Sequence, residues 1–79
     1  IQINLQPVDP ADIVRYATGA LRIQAEQKRI RLETHLPARL PSVQADPDKA
    51  SWVLINFLSN AVRHSPDDSV IEISATDLP

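Results

Sequence analysis

Cysteine and methionine are absent from this 79-residue chain, and glycine occurs once, as Gly19. The lack of thiols excludes zinc ribbons, disulfide frameworks and thiol catalysis together, and it fits a reducing, cytosolic setting. One glycine cannot build a Walker-type phosphate loop or a Gly-x-Gly-x-x-Gly dinucleotide turn. Aromatics are as scarce, with one Trp, one Tyr and one Phe. No apolar run approaches the roughly 20 residues of a membrane span, no basic-then-apolar leader pattern opens the chain, and no internal repeat is visible. Eight Lys and Arg stand against ten Asp and Glu, a net charge of −2. That balance argues against a general polyanion binder, so no nucleic-acid partner is expected.

What is present is an ordinary soluble composition, 43% hydrophobic, in a length that supports one small core. Ile1, Ile3 and Leu5 alternate with polar residues, which predicts a strand over about 2–7 that Pro7 ends or places at an edge. Asp9-Pro10-Ala11-Asp12 then carries an N-cap carboxylate with proline at the first helical position. The apolar positions Ile13, Val14, Ala17, Ala20 and Leu21 extend a helix over about 10–28. The basic cluster Lys28, Arg29 and Arg31 stands at its C-terminal end, where the helix dipole favours cations. It reads as a solvated helix end or as a contact for phosphate or an acidic partner.

Alternation returns over about 30–36, a second strand, and Pro37 and Pro41 bound an irregular link to a short strand over about 42–45. Asp46-Pro47-Asp48 repeats the helix-opening signal for a second helix over about 47–64. Ser65-Pro66-Asp67-Asp68 is a turn, and a final strand covers about 69–76. This order predicts an α/β, two-layer arrangement with two helices on one face of a small mixed sheet. The strands that flank the second helix are expected to lie parallel.

The second helix carries the chemistry. Trp52, Val53, Leu54, Ile55, Phe57, Leu58, Ala61 and Val62 make it apolar round most of its circumference, which predicts burial on more than one side, Trp52 included. Within that surround stand Asn56 and Asn60, four residues apart and so on one face, with Arg63 and His64 continuing the stripe. Asparagine is a mediocre helix former. A carboxamide oxygen is a hard ligand suited to Mg²⁺, its NH₂ can donate to phosphate, and basic residues a turn later can meet polyphosphate oxygens. A narrow solvent-facing stripe is the plain alternative.

The run Asn56-Phe57-Leu58-Ser59-Asn60-Ala61-Val62-Arg63-His64-Ser65-Pro66 closely resembles the N-box of sensor histidine kinases. Upstream, Val43-Gln44-Ala45-Asp46-Pro47-Asp48-Lys49 is similar to the short strand and Asp-led start that precede that helix. The segment from Ile3 to Asp9, the Ile13-Val14 helix and the Ile30-Arg31-Leu32 strand follow in the same order, so the resemblance covers nearly the whole of 1–79. It implies the first part of a Bergerat-type catalytic and ATP-binding domain. Asn60 then corresponds to the residue that coordinates the Mg²⁺ bound to ATP phosphates. Asn56 lines the same region, and Arg63 and His64 match positions facing phosphates or ribose. The implied partners are the dimerisation and phosphoacceptor domain of the same kinase and a response regulator. The implied location is a cytoplasmic domain of a protein anchored in the bacterial inner membrane.

The resemblance also calls for an Asp-x-Gly-x-Gly segment, a lid and a second glycine box. Asp77 has no glycine beside it, so weak or absent ATP binding is expected of this chain alone. An uncovered final strand would further favour strand-mediated association, a swapped dimer included. His35, in Glu-Thr-His-Leu-Pro, is expected to be an exposed strand residue rather than a phosphoacceptor. A metal site using His35 and His64 finds no companion at ligand spacing. Ser59 and Ser65 have no sequence-local base for nucleophilic catalysis. The competing function is a non-enzymatic regulatory or interaction module of the same fold, for which an exposed Trp52 would speak.

Overall fold

The computed structural model describes residues 2–76, so Asp77 lies outside the described residues. The elements are β1 (Gln6–Val8), α1 (Pro10–Ala20), α2 (Arg22–Gln27), β2 (Arg31–His35), β3 (Val43–Ala45), α3 (Pro47–His64) and β4 (Val70–Ser74). Both longer helices start by one mechanism. Asp9 is extended and its carboxylate accepts from the Ala11 N–H at 2.9 Å, while Pro10 occupies the first turn, where its missing N–H costs nothing. Asp46 does the same for α3, accepting from the Asp48 and Lys49 N–H groups at 3.1 and 3.3 Å. Its other oxygen takes the Asn4 N–H at 3.0 Å. These backbone donors, Asn4 foremost, hold the Asp46 carboxyl below the usual carboxylate range.

That last bond explains why the first strand is shorter than the alternation over 2–7 predicts. β1 pairs antiparallel with β3 from Gln6↔Ala45 to Val8↔Val43. β3 ends where Asp46 opens α3, so residues before Gln6 have no ladder partner there. Asn4 gives its N–H to Asp46 instead, and Ile3 and Leu5 remain exposed.

The single helix expected over 10–28 is likewise corrected to two, α1 and α2, separated at Leu21. The Leu21 N–H bonds the Thr18 carbonyl at 3.2 Å, a partner three residues back, so the turn tightens. Gly19 lies just before it and weakens the helix locally. Ala17, Leu21 and Ala25 nonetheless all face inward, none more than 3% exposed.

The end of α2 is a Schellman turn. The Ile30 N–H reaches the Ala25 carbonyl and the Arg29 N–H the Glu26 carbonyl, at 2.9 and 3.0 Å. Arg29 occupies the left-handed position that glycine usually fills, at φ 54°. Asp68, at φ 67°, is the other non-glycine residue with positive φ among the described residues. The two meet: Arg29 Nε and Nη2 donate to Asp68 Oδ1 and Oδ2 at 2.6 and 3.0 Å. This bidentate pair raises the Arg29 pKa and lowers that of Asp68. Beside it the Asp68 N–H donates to the Lys28 carbonyl and the Arg31 N–H to the Ser69 carbonyl. The clasp joins the starts of β2 and β4, which run parallel from Arg31↔Val70 to His35↔Ser74.

Alternation along that parallel pair turns Leu32, Ile71 and Ile73 toward the helices, where they pack on a cluster of Ala17, Leu21, Ala25, Ile30, Leu58 and Val62. α1 lies chiefly against α3. The layered α/β class is therefore present, with helices packed on a small set of strands of both senses. The expected burial of α3 on several sides is not. Leu58 and Val62 are its buried residues, whereas Trp52, Val53 and Phe57 are 67%, 60% and 69% exposed. α1 is the element packed most extensively on α3, and that packing leaves Trp52, Val53 and Phe57 open to solvent.

Candidate functional site

The asparagine stripe lies along the exposed side of α3. Asn56, Asn60, Arg63 and His64 are all exposed. Arg63 Nη2 donates to Asn60 Oδ1 at 3.3 Å, a long contact on the surface. It leaves the second lone pair of that oxygen free, and Asn60 can be released by a turn of an unburied arginine. The donor set therefore fits a hard cation bound through Asn60, with Arg63 close enough to meet an anion beside it. His64 and Asn56 share the stripe by helical spacing, one on either side of Asn60.

The far end of this stripe is held by a residue that sequence reasoning assigned elsewhere. By sequence Lys28 belongs with Arg29 and Arg31 as a cation at the end of the first helix. Its Nζ instead donates to the carbonyl oxygens of Val62, Arg63 and Ser65, at 2.9, 3.1 and 2.6 Å. Those are orphan acceptors at the C-terminus of α3, where the helix dipole also favours a cation. The Ser65 hydroxyl adds a bond to the Ala61 carbonyl at 2.6 Å. The last turn, which carries Arg63 and His64, is thus pinned to the end of α2. Arg29 is used differently again, in the clasp with Asp68. A separation of 34 to 37 residues hid the Lys28 contacts from any local reading.

Beside the asparagines lies apolar surface. Ile3, Ala50, Val53, Leu54 and Phe57 line one shallow depression with Asp46 and Lys49 at its rim. Tyr16, Pro47, Ser51, Trp52 and Ile55 line another. All three aromatic residues of the chain are at least 65% exposed. The expectation that Trp52 belongs to the core is thereby overturned: the core is filled by alanines and branched aliphatics, and the indole stays on the surface beside Tyr16 of α1.

His35 is exposed on β2, and His64 stands at the end of α3. The view that no ligand-spaced group accompanies His35 is corrected, because Glu33 and Glu72 bring their carboxylate oxygens to within 4.8 Å of its ring nitrogen and of each other. Glu33 was legible as the i−2 neighbour on an alternating strand. Glu72 became a neighbour only through the parallel pairing.

These features define an α/β layer with an asparagine-bearing helix at its exposed edge, the fold of histidine kinase catalytic domains. The solved cytoplasmic segment of the histidine kinase QseC superposes with a TM-score of 0.86 at 25% identity, over 92% of this chain and 48% of that one. The histidine kinase ThkA, solved in complex with the response regulator TrrA, superposes at a TM-score of 0.86 and 18% identity over 96% of this chain and 23% of that one. In sequence, the adaptive-response sensory kinase SasA of Trichormus variabilis is 41% identical over 56 residues, 71% of this chain and 14% of SasA. The chain is a homologue of the sensor histidine kinases, and it spans about a seventh of the length of that relative. No protein-family model matches it. No helix among the described residues is long and apolar enough to cross a membrane.

Proposed function

We propose that residues 1–79 are the metal- and phosphate-facing part of the ATP-binding domain of a two-component sensor histidine kinase, which phosphorylates a histidine and passes the phosphoryl group to a response regulator. One observation carries the reading: Asn56, Asn60, Arg63 and His64 form one exposed stripe on a helix whose fold is shared with kinase catalytic domains. Asn60 would hold Mg²⁺ through its carboxamide oxygen, Asn56 would line the same region, and Arg63 and His64 would meet phosphate oxygens. When bound, Mg²⁺ offsets phosphate charge during transfer. The chain's own part is positional: Lys28 fixes the turn that aims Arg63 and His64, and the Asp46 cap fixes the other end of the helix. The working domain is cytoplasmic in a membrane-anchored parent and acts with that kinase's dimerisation and phosphoacceptor domain.

With no glycine-box residues to grip adenine, the 79 residues alone bind ATP weakly or not at all. The test is a nuclear magnetic resonance titration with ATP, with and without Mg²⁺. Small, Mg-dependent shifts confined to the stripe and lost in Asn60→Ala are expected; tight binding, or shifts centred elsewhere, would refute the assignment. Exposed Trp52 favours a second reading, a non-enzymatic interaction module of the same fold. It requires a nucleotide-independent partner for that surface and no effect of Asn60→Ala. Among the described residues β4 and β2 pair only with each other, and the edges this leaves support strand-mediated or swapped dimers; a clean monomer by light scattering at high concentration would exclude them.

A further inference from the structure

The parallel register of β2 and β4 creates a charge arrangement that serves no packing purpose. Leu32 opposite Ile71, with Ile73 two residues further along β4, places apolar groups toward the helices, so the register cannot slip by one residue without turning them outward. The same register sets Glu33 directly opposite Glu72 on the other face. Like charges facing each other across strands are destabilising. Arg31 answers part of this from one side, its Nη2 lying 2.9 Å from Glu33 Oε2. His35 stands on the other side, its Nε2 3.6 Å from Glu72 Oε1.

We propose that Glu33, His35 and Glu72 form a binding site for a divalent transition metal of the zinc class, on the sheet face turned away from the helices. Their ligand atoms already lie within 4.8 Å of one another. Bonds near 2.0 to 2.1 Å in a tetrahedral arrangement put neighbouring ligand atoms about 3.3 Å apart, close to the present His35–Glu72 separation. Glu33 is half-buried and keeps a second oxygen not held by Arg31, and the exposed His35 and Glu72 side chains can close the remaining distance by rotation. An imidazole with two carboxylates selects zinc, copper or nickel over magnesium, which prefers an all-oxygen shell. One metal neutralises both carboxylates, leaves a fourth position to water, and links two strands separated in sequence by the whole of α3. The site is separate from the asparagine stripe and owes nothing to nucleotide.

The test is calorimetric titration of the chain with zinc chloride, alongside thermal unfolding with and without the metal. Absence of cysteine removes the commonest competing ligand. One-to-one binding and a raised unfolding temperature are expected. His35→Gln and Glu72→Gln should each weaken binding at least about 10-fold, since even loss of an outer-shell partner costs that much at other sites. Both positions are exposed, so circular dichroism of each variant should match the parent. Arg31→Ala should tighten binding by removing the competing cation. Magnesium chloride in excess should not displace zinc. Unchanged affinity in His35→Gln, or loss of binding in His64→Ala with His35 intact, would overturn the proposal.

Discussion

The Lys28 ammonium offers the sharpest test of how this fold holds its functional helix. Replacing Lys28 with methionine keeps most of the aliphatic stem and deletes the charge, so three carbonyl oxygens at the end of α3 lose a donor at once. A hydrogen bond to a charged group contributes about 1.5–3 kcal/mol. The three bonds share one ammonium that is itself half-buried, and water replaces part of what is lost, so they do not add. Including the dipole interaction, itself about 0.3–1 kcal/mol, the expected loss is about 2 kcal/mol. For a domain of this size each 1 kcal/mol shifts the midpoint by roughly 4–8 °C, so Tm should fall by roughly 8–16 °C. Urea denaturation should show the same loss with an unchanged m-value, because the compactness of neither end state alters. Amide exchange should accelerate in the last turn of α3 ahead of its first turns. A loss below about 0.5 kcal/mol, the range of an ordinary surface substitution, would refute the capping role.

Four further outcomes follow from the same geometry. Leu58 is 2% exposed at the centre of the core, and Leu58→Ala should cost about 2–5 kcal/mol by calorimetry, enough to unfold much of so small a domain. A Cβ on Gly19 meets nothing within 4 Å, and Gly19→Ala should stabilise by about 0.5–1 kcal/mol; a loss would show that the tightened turn at Leu21 needs glycine nearby. Asp46 and Asp68 have lowered pKa values in the folded state, so their stabilisation is complete above about pH 5, where an unfolded Asp is also almost fully ionised. It is lost as pH falls through the lowered folded values, and Asp46→Asn with Asp68→Asn should flatten the acid limb of a stability profile. Trp52 should fluoresce as a water-exposed indole in the folded chain and change little on unfolding; a strongly blue-shifted spectrum would mean that its face is covered, as in an associated form.

Much of this was legible in a line of residues because it rests on neighbours in sequence. Asp9-Pro10 and Asp46-Pro47 specify helix starts through side-chain bonds two and three residues long. The stripe of Asn56, Asn60, Arg63 and His64 needs only the pitch of a helix to come together, and alternation along 31–35 and 70–74 needs only the pleat. What local pattern could not supply was the partner. Residues 2–5 alternate as a strand should, yet β3 ends too soon to pair with them. Ala17, Leu21 and Ala25 keep helical spacing through a turn that breaks the helix. Lys28, Arg29 and Arg31 read as one basic cluster but serve an orphan helix end, a bidentate clasp and a surface ion pair.

The sequence by itself determined the two capped helix starts, the alternation along β2 and β4 and the one-sided placement of the asparagines, since each depends on near neighbours or on backbone geometry repeated every two or 3.6 residues. Only the tertiary structure decided what covers what. Burial depends on which elements lie alongside, and here α1 covers one flank of α3 and leaves Trp52, Val53 and Phe57 to solvent. The parallel register, set by the apolar faces of β2 and β4, likewise decided that Glu33 and Glu72 meet beside His35.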